Sequence, residues 1–198
     1  MKFLGIIPSR YGSKRFPGKP LARINHKPMI QWVYERSSTG VDEIYVATDD
    51  QKIYEAVKNF GGNVVMTSRD HRSGTDRCSE ALDIINSGTG MNPEVVINIQ
   101  GDEPFIDKEQ INLLKSCFEN NETEIATLVQ MIRDEKEIFD EHKPKVIMDK
   151  NDNAIYFSRC AIPFLRDLRE SEWISAHDYY KHIGIYAYRS EILKRITQ

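Results

Sequence analysis

Apolar residues in the first half of the chain come in short unbroken runs, each followed by a stretch with helical spacing. Residues 3–8, FLGIIP, are nearly continuous, the pattern of a strand buried on both faces of a parallel sheet. Pro28 stands where a first helical residue belongs, and Met29, Ile30, Val33 and Tyr34 recur on one face until Ser37-Ser38-Thr39-Gly40. EIYVAT (residues 43–48) reads as a second strand. From Asp50, the residues Ile53, Ala56, Val57 and Phe60 repeat helically up to Gly61-Gly62. NVVMT then gives a third strand, residues 75–86 a helix through Cys78, Ala81, Leu82 and Ile85, and EVVINI (94–99) a buried strand. Asp107 begins another helix. Gln110 completes a capping box there and Ile106 can staple onto Ile111.

Beyond residue 120 the pattern changes. IATLVQM, KVIMD, AIYFSR and IGIYAY are four strand candidates with little helix between the middle two. The first half therefore predicts alternating strands and helices, hence an open, mostly parallel sheet with both faces covered, and the second half predicts a strand-rich part. Such sheets bind ligands at the carboxyl ends of their strands, where strand order reverses. There is no internal repeat, low-complexity tract or clear linker, so residues 1–198 are expected to form one domain.

Composition narrows the class. A 40% hydrophobic, 29% charged chain without an apolar run near the ~20 residues of a membrane span predicts a soluble protein and no membrane partner. The short apolar start is ended by Pro8 and Arg10, so no secretory signal is expected. Cys78, Cys117 and Cys160 are odd in number and lack metal spacing, which predicts reduced thiols and a cytoplasmic location.

Charge changes the picture more. The net charge is −3, yet the first 34 residues hold seven Lys or Arg and no acid. Most of that charge lies in residues 8–20, PSRYGSKRFPGKP, directly after the first strand: Arg10, Lys14, Arg15 and Lys19. Charge focused in one loop points to a small anion; nucleic acid would call for a broader basic stripe laced with aromatics. Two like charges about 4 Å apart at an effective dielectric near 20 repel by roughly 4 kcal/mol, so a convergent set needs a counter-charge such as a polyphosphate. The alternative is a solvated loop with splayed charges. The stretch is not a P-loop: five residues separate Gly12 from Gly18, and Pro20 follows Lys19 where a hydroxyl is required.

Two further segments carry candidate chemistry. NIQGDEP (residues 98–104) runs from a buried strand into Asp102 and Glu103, hard oxygen donors suited to magnesium beside a nucleotide, or simply the start of a turn. SRDHRSGTDR (residues 68–77) puts Ser73, Gly74 and Thr75 before a helix, where backbone amides can hold an anion or cap the helix in the ordinary way. His71 reads as a surface residue.

Taken in order, PSRYGSKRFPGKPL, VATDD, SGTDR, INIQGDEP, YFSR and HIGIYAYR resemble the 3-deoxy-manno-octulosonate (Kdo) cytidylyltransferases, the CMP-Kdo synthetase family, from Lys2 to about Arg189. The resemblance implies a Rossmann-like nucleotidyltransferase fold of the nucleotide-diphospho-sugar transferase type, a homodimer, and synthesis of CMP-Kdo and pyrophosphate from CTP and Kdo with Mg2+, for lipopolysaccharide biosynthesis. It implies that Arg10 and Lys19 hold the triphosphate, that Ser73, Gly74, Arg77 and Gln100 line the cytidine end, and that Asp102 binds the metal. Arg159, His182 and Tyr186 would face the Kdo acid. His182 and Tyr186 also suit a partly buried histidine and a strand aromatic. Residues 134–180 are the expected acceptor-binding and dimerising excursion. Family members continue past Gln198, so the last part of the family domain is expected to be absent here. That keeps a non-catalytic CTP-binding module open beside a related CMP-sugar-acid synthetase of the sialate type.

Overall fold

A computed structural model describes residues 1–12 and 16–198; Lys14 and Arg15 of the basic loop therefore lie outside the described residues. The chain divides into two compact units, Met1–Ala126 with Ile185–Gln198, and Thr127–Gly184.

The first unit runs β1 (Phe3–Ser9), a small hairpin of β2 (Arg23–Ile24) and β3 (Lys27–Pro28), α1 (Met29–Ser38), β4 (Glu43–Thr48), α2 (Gln51–Asn59), β5 (Val64–Met66), α3 (Gly74–Thr89), β6 (Val95–Asn98) and α4 (Lys108–Cys117). β1 is buried along almost its whole length, as its unbroken apolar run requires. It pairs in parallel with β4 (Ile6 opposite Tyr45) and with β6 (Ile6 opposite Asn98), and β5 adds in parallel beyond β4. The chain thus builds outward from β1 through β4 to β5, then returns through α3 to place β6 on β1's other side. The strand order reverses between β1 and β6, and the carboxyl ends of these two strands flank the crevice where such sheets take ligands.

Capping residues fix where the helices start. Asp50 accepts from the amides of Lys52 and Ile53 at α2, and Asp107 and Gln110 form the expected capping box at α4. At α3 Ser73 and Asp76 form a reciprocal box that starts the helix at Gly74, and Gly90 caps its other end after Thr89, so the helix runs past the expected 75–86 at both ends. Pro28 is not the first helical residue: it closes β3, and the Met29 amide donates to Ala22 O at 2.8 Å. The hairpin turns on Asn25 and His26, both at positive φ. Leu4, Ile6, Ala47 and Val96 of the sheet pack on Ala81, Leu82 and Ile85 of α3. Each of the leucine, isoleucine and valine side chains among them contributes about 1.5–3 kcal/mol.

The second unit holds most of β7 (Ile125–Met131), α5 (Glu135–Phe139), β8 (Lys145–Met148), β9 (Ala154–Ser158), α6 (Trp173–Ala176) and the first half of β10 (Tyr180–Arg189). β8 pairs antiparallel with β9 and with β10. Its core is small and aromatic: Trp173 stacks on Tyr179 with ring centres 6.2 Å apart, beside Ile132 and Ile138. The second half of β10 returns to the first unit, antiparallel to β6. It leads into α7 (Ser190–Ile196), whose Leu193 is fully buried against α3's cluster. The closing SEILKRITQ, featureless as a pattern, is a packed helix.

Candidate active site

Three segments meet at the carboxyl edge of the first unit's sheet: the end of β1, the start of α3 and the turn after β6. They enclose a cavity of about 190 Å³ whose wall includes Arg10, Ser73, Gly74, Arg77 and Gln100, five of the residues singled out from sequence. Glycines allow the approach. A Cβ on Gly74 would stand 3.2 Å from the Pro8 ring, and one on Gly101 would stand 2.8 Å from Ser9 Oγ. The wall also contains Ser9, His71 and Arg72. Ser9 is 4% exposed, and its hydroxyl oxygen has no hydrogen-bond partner among the described residues. A buried polar atom normally has a partner, so this one suits a polar group brought by a ligand. The start of the 16-residue α3 adds the positive end of a helix dipole to Arg10 and Arg72.

Arg77 is bound up within the protein. It is 3% exposed; Nη2 donates to Asp49 Oδ2 at 2.8 Å, and Nη1 donates to Thr67 Oγ1 and, at 3.2 Å, to Ser68 O. Its guanidinium therefore ties the end of β4 and the loop after β5 to α3. His71 is not a free surface residue: its ring is 18% exposed and sits against the Glu80 carboxylate. Burial alone would raise the Glu80 carboxyl, but bonds from His71 and the Ser68 amide bring it below its ordinary value.

The basic loop is tied at its far end, where the Gly18 amide donates to Tyr11 O at 2.9 Å. Gly18 takes φ +73, a left-handed conformation that favours glycine, with the Tyr11 ring just above it. Lys19 then opens a 3-10 turn and donates from Nζ to Asp102 Oδ2 at 2.6 Å. The two residues read separately as phosphate contact and metal ligand are thus an ion pair with each other. With side chains 35% and 47% exposed, that pair contributes little to stability. Glu103, next to it, has its carboxyl raised by burial and by the Asp102 charge, with Lys19 opposing. Among the described residues no group of three or more His, Cys, Asp or Glu could hold a metal. The donor set here is one or two carboxylates at a strand end, which fits magnesium, an ion that usually takes one or two carboxylates together with substrate phosphates.

The other three candidates stand elsewhere. Arg159, in the second unit, donates from Nη1 to Glu141 O at 2.7 Å. His182, in the same unit, is half-buried with Nε2 2.9 Å from Thr127 Oγ1 and its ring edge-on to Phe157; burial lowers its pKa, which favours the neutral imidazole. Tyr186, in the first unit, lies opposite Asn98 of β6 and stacks on Tyr188, and burial raises its phenol pKa. Sequence reasoning passed over Ser9, Asp49 and Glu80. Asp49, the first acid of VATDD, directly follows a strand's carboxyl end, a position that could have marked it, whereas Glu80 has no signal outside the helix pattern.

The cytidylyltransferase family profile matches residues 4–198. A 3-deoxy-manno-octulosonate cytidylyltransferase from Parabacteroides distasonis is 55% identical over the whole chain, which spans 79% of that relative's length. An 8-amino-3,8-dideoxy-manno-octulosonate cytidylyltransferase from Shewanella frigidimarina is 51% identical, again over the whole chain and 79% of the relative. A solved CMP:2-keto-3-deoxy-manno-octonic acid synthetase in complex with CTP superposes with a TM-score of 0.89 at 40% identity, covering all of this chain and 78% of that one. Matched along its full length in both sequence and fold, the chain belongs to the 3-deoxy-manno-octulosonate cytidylyltransferase family.

Proposed function

We propose that the chain transfers the cytidylyl group of CTP to Kdo, yielding CMP-Kdo and pyrophosphate for lipopolysaccharide assembly. The observation that carries this reading is the cavity at the β1–β6 switch point, basic through Arg10 and Arg72 and closed by a helix start, in a chain 40% identical to a synthetase solved with CTP.

The anomeric hydroxyl oxygen of Kdo attacks the α-phosphorus in line. The new O–P bond forms as the bond from the α-phosphorus to the bridging oxygen breaks, pyrophosphate leaves with the electron pair, and the hydroxyl proton passes to solvent. In this reading Arg10 and Lys19 hold the triphosphate and offset charge gathering on the leaving group. Ser73, Gly74 and Gln100 border the cytidine, with Arg77 fixing the wall behind them. Asp102, with Glu103 beside it, would hold Mg2+, which neutralises phosphate charge when bound. Because Lys19 and Asp102 are paired in the free chain, Lys19 exchanges a carboxylate for a phosphate as CTP enters. Arg159, His182 and Tyr186 would recognise the acceptor, Arg159 through two parallel bonds to its carboxylate.

The second unit, including residues 134–180, is proposed to bind acceptor and to dimerise. Support comes from β9, where Ile155 and Tyr156 are 64% and 61% exposed on a strand otherwise open to solvent. Three free thiols are consistent with a reducing, cytoplasmic setting. No helix among the described residues is long and apolar enough to cross a membrane.

The test is pyrophosphate release from CTP and magnesium with Kdo, with its 8-amino-3,8-dideoxy analogue, or with sialic acid. The Shewanella relative makes the amino analogue a specific second candidate. Release with Kdo is expected. Release with the amino analogue alone would transfer the assignment to that acceptor, and release with sialic acid alone would overturn the Kdo reading.

A further inference from the structure

The end of β1, the turn after β6 and the start of α3 border the cavity, and residues 71–73, which lead into α3, line it as a loop. The loop's attachments run mostly to α3, beside one bond of 3.4 Å from Arg69 Nε to Asp49 O. Glu80 Oε2 accepts the Ser68 amide at 2.8 Å and also contacts His71 Nε2. Arg77, three residues earlier on the same helix face, donates to Ser68 O at 3.2 Å, so both peptide groups of Ser68 are gripped by one side of α3. At the far end the Ser73 amide donates to Asp76 Oδ2 at 3.0 Å. Between those anchors the strap is fixed by His71 on Glu80, and His71, Arg72 and Ser73 all face the cavity.

We propose that Glu80 is a positioning residue for CTP binding: by holding Ser68 and His71 on a single carboxylate oxygen, it sets where Arg72 and Ser73 stand in the cavity wall. The proposal rests on the cavity's being the CTP site. A loop wall displaced by about 1 Å can cost on the order of a hundredfold in a reaction that depends on alignment, and two bonds end on this one oxygen.

The experiment measures kcat, KM for each substrate, CTP affinity by titration calorimetry and thermal midpoint for Glu80→Ala, Glu80→Gln, His71→Ala, the double Ala variant and Arg10→Ala. Loss of hydrogen bonds to a charged acceptor predicts a CTP KM about tenfold higher in Glu80→Ala, with KM for Kdo and the thermal midpoint near those of the parent. Glu80→Gln keeps an oxygen for both donors and is expected to restore most of the affinity. The double variant should be no weaker than Glu80→Ala, because both changes remove the same attachment. An unchanged CTP KM in Glu80→Ala overturns the proposal, as does an equal rise in both KM values with a lower midpoint and no rescue by Gln. Arg10→Ala separates the two claims: weak CTP binding there with normal binding in Glu80→Ala defeats the strap alone, while normal binding in both defeats the cavity assignment.

Discussion

The two units solve the problem of burial differently. In the first, aliphatic strands covered by α3 and α7 leave almost no side chain of β1 or β6 in contact with water, and the buried polar residues Ser9, Thr48 and Asn98 stand at the carboxyl ends of their strands. In the second, the core is two stacked aromatics and two isoleucines. Charge is balanced by Glu137, which bridges Lys143 and Lys181 at 2.7 Å each, while β9 exposes its apolar residues. The first unit presents a formed cavity; the second exposes Ile155 and Tyr156 on β9. In the proposed function, the rigid parallel sheet would give the phosphate end fixed geometry and the smaller unit would meet the acceptor.

Breaking the first unit's buried ion pair should have the largest effect. Asp49→Ala leaves the Arg77 guanidinium, 4% exposed in its side chain, without its carboxylate, and about 3–5 kcal/mol of stability should be lost in denaturant unfolding. A loss below 1 kcal/mol would mean that the pair does not hold the cavity's wall. On the second unit, Tyr156→Glu puts a charge on the exposed β9 face. Sedimentation equilibrium should then show a dimer converted to monomer with an unchanged thermal midpoint of the monomer; a parent that is monomeric at all concentrations would contradict the proposed role of β9.

Lys19→Ala sharpens the contrast from the other side. The pair with Asp102 is largely exposed, so stability should change by less than about 1 kcal/mol, while magnesium-dependent CTP affinity falls about tenfold, as expected for a lost charge-assisted bond. Equal affinity in the two proteins would remove Lys19 from the site. The smallest effect is a pH dependence in the second unit. Burial depresses the His182 pKa in the folded chain below the unfolded value of about 6.5. The unfolded state therefore takes up the proton first. The stability this gives is fully present above about pH 6.5 and is lost as pH falls through the folded pKa. Thermal midpoints between pH 8 and 5 should fall less steeply for His182→Gln than for the parent, and parallel curves would refute the effect.

Much of this was legible in the sequence because burial on both faces writes itself as an unbroken apolar run, as in β1 and β6; EIYVAT and IATLVQM are also strands over their whole length, though IATLVQM is mostly only partly buried. Capping chemistry was equally local, as Asp107 and Gln110 show. The β2–β3 hairpin was not legible, since strands of two residues carry no period, and its turn needs positive φ at Asn25 and His26, residues that do not demand it. α7 was hidden because its seven residues give barely two turns of pattern. Of the five cavity residues, Arg10 was marked by the charge of its loop and Ser73 and Gly74 by the helix start, while the motif resemblance added roles for Arg77 and Gln100. The ion pairs at and beside the carboxyl edge join residues far apart in sequence: Lys19 to Asp102 and Arg77 to Asp49. No spacing rule predicts such pairs; they follow from strand order, which brings the ends of β1, β4 and β6 to one edge.

The central claim is that the cavity between the ends of β1 and β6 takes CTP. Calorimetric titration of CTP with magnesium into the parent chain and Arg10→Ala tests it most directly, with matched thermal midpoints as the control for folding. The account predicts saturable one-site binding by the parent and at least a tenfold loss, about 1.4 kcal/mol, in the variant. Equal affinity in two equally folded proteins would contradict it.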